Sequence, residues 1–192
     1  MAKKIYILMG NPDSDGTLSS EIATTYESAA KIAGHEVHRV NIGDLSFDPI
    51  LHKGYKVIQE LEPDLKKVQE DLKWADHFVL IYPLWWSGTP ALLKGMIDRM
   101  WLPGFCFHFW KNGMGWDRMM KGKTARVITL SKMPPLFIRF TMGDFTNEIR
   151  SATLGFAGYK VSMSEFGNSE SLTPSAKARL ISNISGLAKR AR

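Results

Sequence analysis

His77-Phe78-Val79-Leu80-Ile81-Tyr82 is a short apolar run, and Pro83-Leu84-Trp85-Trp86-Ser87-Gly88-Thr89-Pro90 follows it without a gap. A run of this length, rich in β-branched and aromatic residues and closed by proline, predicts a strand buried on both faces of a parallel sheet. Thr89-Pro90 then predicts a helix through Trp101, with threonine as N-cap and proline at the first helical position, where its missing N–H costs nothing. The unit is strand, loop, helix, and its loop holds two adjacent tryptophans.

The same unit recurs on either side. Upstream, Ile5 to Met9 predicts a strand that stops at Gly10-Asn11-Pro12, Leu18 to Ala33 a helix ended by Gly34, His35 to Ile42 a strand and Asp64 to Ala75 a helix. Downstream, Thr124 to Leu130 predicts a strand, Phe140 to Leu154 a helix and Lys160 to Phe166 a strand. Thr173-Pro174 repeats the capping pair before a last helix whose Lys189, Arg190 and Arg192 suit the negative end of its dipole. Five alternations of strand and helix imply a doubly wound α/β domain, because parallel strands need long crossovers. The expected architecture is a five-stranded parallel sheet of order 2-1-3-4-5 with helices on both faces. Ligands of such sheets bind outside the carboxyl ends of the strands, at the switch point beside strand one.

Composition narrows the class. The chain has 192 residues, 44% of them hydrophobic, which suits one domain over residues 1–192. No stretch approaches the ~18 uninterrupted apolar residues of a membrane span, and Met1-Ala2-Lys3-Lys4-Ile5 does not read as a signal peptide. A cytoplasmic protein without an integral membrane segment is expected. The formal charge of +6 comes from scattered lysines and arginines, without a nucleic-acid motif. It fits a solvated surface, or attraction to phosphate-bearing ligands. The single cysteine, Cys106, reads as a small buried hydrophobe, and the five histidines show no metal-binding spacing.

The topology directs attention to three loops. After the first strand, Gly10 to Ser20 leads into a helix N-terminus with Thr17 and Ser19 at hand, the chemistry of a phosphate site or of ordinary capping. Asp13 and Asp15 disfavour a phosphate there unless their carboxylates turn outward. After the third strand, Trp85 and Trp86 lie outside the helix, as a flat surface for a planar ligand or a plug in a dimer interface. After the fourth, Thr129-Leu130-Ser131-Lys132-Met133-Pro134-Pro135 offers backbone donors and one cation on a stiffened loop. Two further connections, Gly43 to Pro63 and Pro103 to Gly122, exceed the usual length, and the second is crowded with aromatics.

Pro83-Leu84-Trp85-Trp86, with Thr89-Pro90-Ala91-Leu92-Leu93-Lys94-Gly95-Met96-Ile97-Asp98-Arg99, resembles the signature of the flavodoxin-like NAD(P)H:quinone oxidoreductases. The first loop resembles that family's phosphate loop, Gly104-Phe105-Cys106-Phe107 its aromatic pocket segment, and Leu154-Gly155-Phe156-Ala157-Gly158-Tyr159-Lys160-Val161 the entry to its last strand. The resemblance implies FMN, with FAD as the alternative, NADH or NADPH as co-substrate, a quinone-like acceptor, ping-pong transfer of two electrons, and a homodimer. By position, Asn11, Thr17, Leu18 and Ser19 would hold the phosphate end of the flavin. Pro83, Leu84, Trp85, Trp86 and Ser87 would border its ring, with the amides of Trp85, Trp86 and Ser87 steadying it. Thr129, Leu130, Ser131 and Lys132 would border the other edge, while Phe105 and Phe107 would line the acceptor pocket, that of the partner subunit included. The sequence departs from the family at Asn11, where histidine is common, and at Met133-Pro134-Pro135, where a glycine pair is common, and it offers no catalytic acid or metal ligand. A flavodoxin-type electron carrier and a regulatory subunit of a membrane antiporter are the rival readings. A receiver domain is excluded by Tyr82-Pro83 where an aspartate is needed, and a P-loop at Gly122-Lys123-Thr124 by Asp117 in place of its first glycine.

Overall fold

In a computed structural model that describes residues 1–191, the chain forms five parallel strands, β1 (Lys4–Met9), β2 (Glu36–Asn41), β3 (His77–Pro83), β6 (Thr124–Leu130) and β7 (Lys160–Phe166). A separate antiparallel pair, β4 (Phe107–Phe109) and β5 (Trp116–Arg118), lies between β3 and β6 in the chain. The order of the main sheet, β2-β1-β3-β6-β7, is the expected doubly wound order once the small pair is set aside. The boundaries predicted for the strands at 124–130 and 160–166 coincide with those observed.

Period two along the central strands divides the core. Tyr6 and Leu8 of β1, with Phe78 and Leu80 of β3, pack under α2 (Pro63–Trp74) and α3 (Ala91–Met100). Ile5, Ile7 and Met9, with Val79 and Ile81, pack under α1 (Leu18–Ile32) and α5 (Pro174–Lys189). Thr173 caps α5 as expected, its hydroxyl accepting from the Ala176 N–H at 3.2 Å. Lys189 and Arg190 close that helix, and Arg192 lies outside the described residues. Cys106 is fully buried, and burial pushes its thiol up to about 12. No helix among the described residues is long and apolar enough to cross a membrane.

Two helical expectations are corrected. Thr89 does not cap α3: Pro90 takes the N-cap place in an extended conformation with no side-chain cap, and the helix starts at Ala91. The helix expected over 140–154 is divided. Pro134-Pro135 open α4 (Pro135–Met142) earlier, and Gly143 stops it at φ +85. Glu148–Gly155 is then a π-helix, with the Thr153 hydroxyl donating to the Glu148 carbonyl at 2.8 Å. The wide register brings the Arg150 carbonyl to 2.8 Å from where a Cβ on Gly155 would stand, so glycine accommodates it.

At the amino edge of the sheet, His77 bonds the Tyr26 hydroxyl at 3.1 Å and the Thr124 hydroxyl at 2.7 Å. Burial lowers its pKa from 6.5 to about 3, so the folded ring is neutral. Between these values the unfolded chain binds the extra proton, and stability present above pH 6.5 falls as pH drops toward 3. A shift of this size bounds the loss at about 5 kcal/mol. His77→Gln should lower stability at neutral pH yet flatten its decline across that window, as measured by urea unfolding at a series of pH values.

Candidate functional site

The three loops named by the topology meet at the carboxyl edge through backbone bonds. Gly10 N–H donates to the Ile81 carbonyl at 2.6 Å, tying the first loop to β3, and Leu84 N–H donates to the Leu130 carbonyl at 2.7 Å, tying the third loop to β6. A Cβ on Gly10 would lie 2.8 Å from the Leu93 side chain and 3.3 Å from Tyr82 Cβ, so the small residue keeps the first loop close to β3 and α3. The expected residues of the three loops therefore share one edge.

In the first loop the hydroxyl of Thr17 serves the helix. It accepts from the Ser20 N–H at 3.2 Å and donates to the Asp13 carbonyl at 3.4 Å, which leaves the Leu18 and Ser19 N–H groups as first-turn donors without an intrahelical acceptor. Asn11 and Ser19 are buried beside them, Asn11 accepting from the Asp13 N–H at 3.3 Å. The Asp13 carboxylate turns into its own loop, accepting from the Asp15 N–H at 3.0 Å. The Leu18 and Ser19 amides at the helix N-terminus, with Asn11 and Ser19 beside them, suit a phosphate, while Glu21 adds a carboxylate to the first turn.

In the third loop Trp85 and Gly88 exchange backbone bonds of 3.1 and 2.9 Å around Trp86 and Ser87, whose φ values are +49 and +62. This is the two-residue turn with both central residues left-handed, ordinarily the place of Asn-Gly or Gly-Gly. The turn uses the Trp85 N–H internally, so of the three amides expected to steady a ring only those of Trp86 and Ser87 are left. The Trp86 indole projects from it, 96% exposed. Pro83 and Leu84 are part-buried at its base.

In the fourth loop Thr129, Leu130 and Ser131 are buried. Ser131 N–H donates to the Phe166 carbonyl at 2.9 Å and its hydroxyl to the Met133 carbonyl at 2.7 Å. Lys132 sits at the surface paired with Glu170 at 3.0 Å, where solvent screens both charges. Flat exposed indole, free amides and a helix N-terminus along one edge fit a planar ring bearing a phosphate, as a flavin is.

The aromatic segment is at the other end of the sheet. Phe105, expected in the pocket, is turned into the core, edge-on to Trp101 with centroids 5.8 Å apart. Phe107 does line a cavity of about 890 Å³, together with Phe109, Phe156 and the loop residues Leu51, Tyr55 and Ile58. This cavity lies along the last turn of α3 and beside Phe156, just ahead of β7, hence toward the amino edge. Phe109 and the 51–58 wall belong to the two long connections, although the sequence does not mark them individually as pocket residues. The spacing of Phe107 and Phe109 was the available signal, since residues two apart share a strand face.

A family model described as the flavodoxin-like fold matches residues 3–182. The chain is 30% identical over 106 residues to an uncharacterized NAD(P)H oxidoreductase of Haemophilus influenzae, covering 53% of this chain and 52% of that protein. It is 27% identical over 147 residues to FMN-dependent NADH:quinone oxidoreductase 2 of Listeria innocua, covering 67% and 68%. The match thus spans about half the length of the first relative and two thirds of the second. Among solved structures, NAD(P)H:quinone oxidoreductase from Methanothermobacter marburgensis superposes with a TM-score of 0.80 at 21% identity, over 100% of both chains.

The loop after β2 supports the first loop from outside. A Cβ on Gly43 would stand 2.1 Å from the Pro12 carbonyl oxygen, so Gly43→Ala should displace the Asn11–Thr17 segment. The expected cost is about 1–3 kcal/mol, read as a lower thermal midpoint.

Proposed function

The chain belongs to the flavodoxin-like fold family, and from that premise we propose that it is a cytoplasmic flavin-dependent NAD(P)H:quinone oxidoreductase acting as a homodimer. The observation that carries the reading is the left-handed turn at Trp86 and Ser87, which sets an exposed indole and two amides at the switch point of the sheet. FMN is favoured over FAD by the FMN dependence named for the Listeria relative. A bound flavin would supply the two-electron redox chemistry between NAD(P)H and a quinone, in ping-pong order.

The chain's own residues bind and orient. The Leu18 and Ser19 N–H groups with Asn11 hold the phosphate, and the α1 dipole favours its charge. Trp86 covers one side of the ring site and keeps water from it, while the amides of Trp86 and Ser87 offer hydrogen bonds at its rim. Positioning of stacked partners is worth up to ~7–11 kcal/mol in such transfers.

The homodimer rests on the separation of the two aromatic groups. Trp86 is at the carboxyl edge, and Phe107 and Phe109 are beside a cavity toward the amino edge. One chain cannot bring them together, whereas two copies packed antiparallel about a twofold axis can set each cavity against the other's ring site.

The purified protein should be yellow, release FMN on heating, and bleach with NADH or NADPH until quinone restores the colour. A colourless protein that binds neither flavin overturns the reading. Trp86→Ala should weaken flavin binding about tenfold, equivalent to ~1.4 kcal/mol, as followed by flavin fluorescence. The homodimer predicts complementation: Trp86→Ala and Phe109→Ala proteins, each impaired alone, should on mixing and subunit exchange regain about one quarter of parental activity, since one site in four then holds both native groups. No gain on mixing, with exchange verified, counts against the shared site.

A further inference from the structure

The segment joining β2 to α2 folds back over α3 as a closed loop. Its limbs are tied to each other: Gln59 donates to the Ile50 carbonyl at 3.0 Å and accepts from the His52 N–H at 3.2 Å. Below them the Asp48 N–H donates to Glu62 at 3.1 Å. The base of the loop is gripped by one cation from α3. Arg99, 1% exposed, donates through Nη1 to the Asp48 carbonyl and to Glu62 Oε1 at 3.1 Å. Through Nη2 it donates to the Glu60 carbonyl at 2.8 Å and to Glu62 Oε2 at 2.9 Å. Its Nε has no partner among the described residues, so the grip comes from the two terminal nitrogens. One turn earlier, Gly95 leaves room for Pro49, whose carbonyl oxygen would be 2.5 Å from a Cβ at that position. Gly95 and Arg99, four residues apart, present one face of α3 to the base of the loop.

Above this contact the tip exposes Ile50, Tyr55, Val57 and Ile58, and Tyr55 and Ile58 wall the 890 Å³ cavity opposite Phe107 and Phe109. A buried guanidinium stripped of its acceptors is costly, so the loop cannot leave α3 without stranding Arg99. We propose that Arg99 is a positioning residue: by latching the base of the loop to α3 it sets the width of the cavity and hence which acceptors bind. This rests on the assignment of the cavity to the quinone acceptor. Lysine cannot replace the latch, because a single ammonium lacks the planar fork that reaches both carboxylate oxygens and two carbonyls. Arg99 touches no reacting atom in this scheme, and its effect passes entirely through the loop.

The test uses the flavin-loaded protein with Arg99→Lys, and Glu62→Gln judged by the same criteria should the first variant not fold. Native-state trypsin digestion reads the loop directly, since Lys53 and Lys56 lie within it. Cleavage at those lysines is expected to quicken about tenfold as the loop opens locally. With 1,4-benzoquinone the kcat should stay within about twofold of the parent, while the ratio of kcat/KM for 2-methyl-1,4-naphthoquinone to that for benzoquinone shifts about fivefold. A folded variant with parental loop cleavage and a parental ratio overturns the latch, as does an equal fall in kcat for both quinones. If the parent protein is not bleached by NAD(P)H, the acceptor assignment fails with the functional reading. The digestion then still decides whether Arg99 holds the loop.

Discussion

Burial of both faces of the central strands is the constraint on which the molecule depends. β1, β3 and β6 have almost no side chain in water, so every polar group of their backbones must be answered by a neighbouring strand. Parallel pairing answers them, and it forces a helix into every crossover. Where the buried strands run out, the ladder has to be continued by the loops themselves. Gly10 to Ile81, Leu84 to Leu130 and Ser131 to Phe166 do so, each a backbone bond from the first loop residues to the next strand's carbonyl. The site is assembled by that requirement, because the same bonds that finish the sheet hold the three loops in register.

The two ends of the sheet treat charge in opposite ways. At the amino edge, His77 is buried between two hydroxyls and stays neutral, since desolvation outweighs the gain from protonation. Arg99, buried as deeply, cannot shed its proton, so it is kept only with four oxygen contacts around it. At the carboxyl edge the groups left free in the loops are amides and indole, and the carboxylate of Asp13 is folded back on its own loop. An anion approaching that edge meets donors and a helix dipole, with Lys132 already engaged at the surface by Glu170.

Much of this was legible in the sequence, for a physical reason. A strand buried on both faces must be apolar throughout, so 5–9 and the core of β3 stand out, and order follows from the handedness and length of the crossovers. The misreadings came where local signals competed. Thr89 has the chemistry of a cap, but the left-handed turn before it delivers the chain to Pro90 already extended. The helix starts ahead of Phe140 because Pro134-Pro135, besides stiffening the loop, put a proline at the first helical position, which starts a helix. Phe105 shares parity with Phe107, but strand pairing begins only at Phe107. Phe105 sits in the preceding turn, where period two does not apply, and packs inward under Lys73.

The tryptophan turn shows why one part of the candidate site stands out in the sequence while the cavity beside Phe107 and Phe109 does not. Two adjacent non-glycine residues at positive φ cost of order 1–3 kcal/mol each, and glycine at either place would relieve it. Such strain survives where the side chain itself is wanted at that point in space, and an indole left almost wholly in water contributes nothing to the fold that would offset it. A single sequence shows this kind of signal because cause and effect lie within a few residues. The cavity beside Phe107 and Phe109 has no counterpart of that sort: its walls come from the loop after β2, the end of α3, the small hairpin and the end of the π-helix. Those pieces are brought together by Arg99 and by Trp116 stacking on Phe156 at 4.4 Å, contacts that span 37 to 51 residues of chain in one case and 40 in the other. Local pattern carries no trace of such distances, and only packing reveals them.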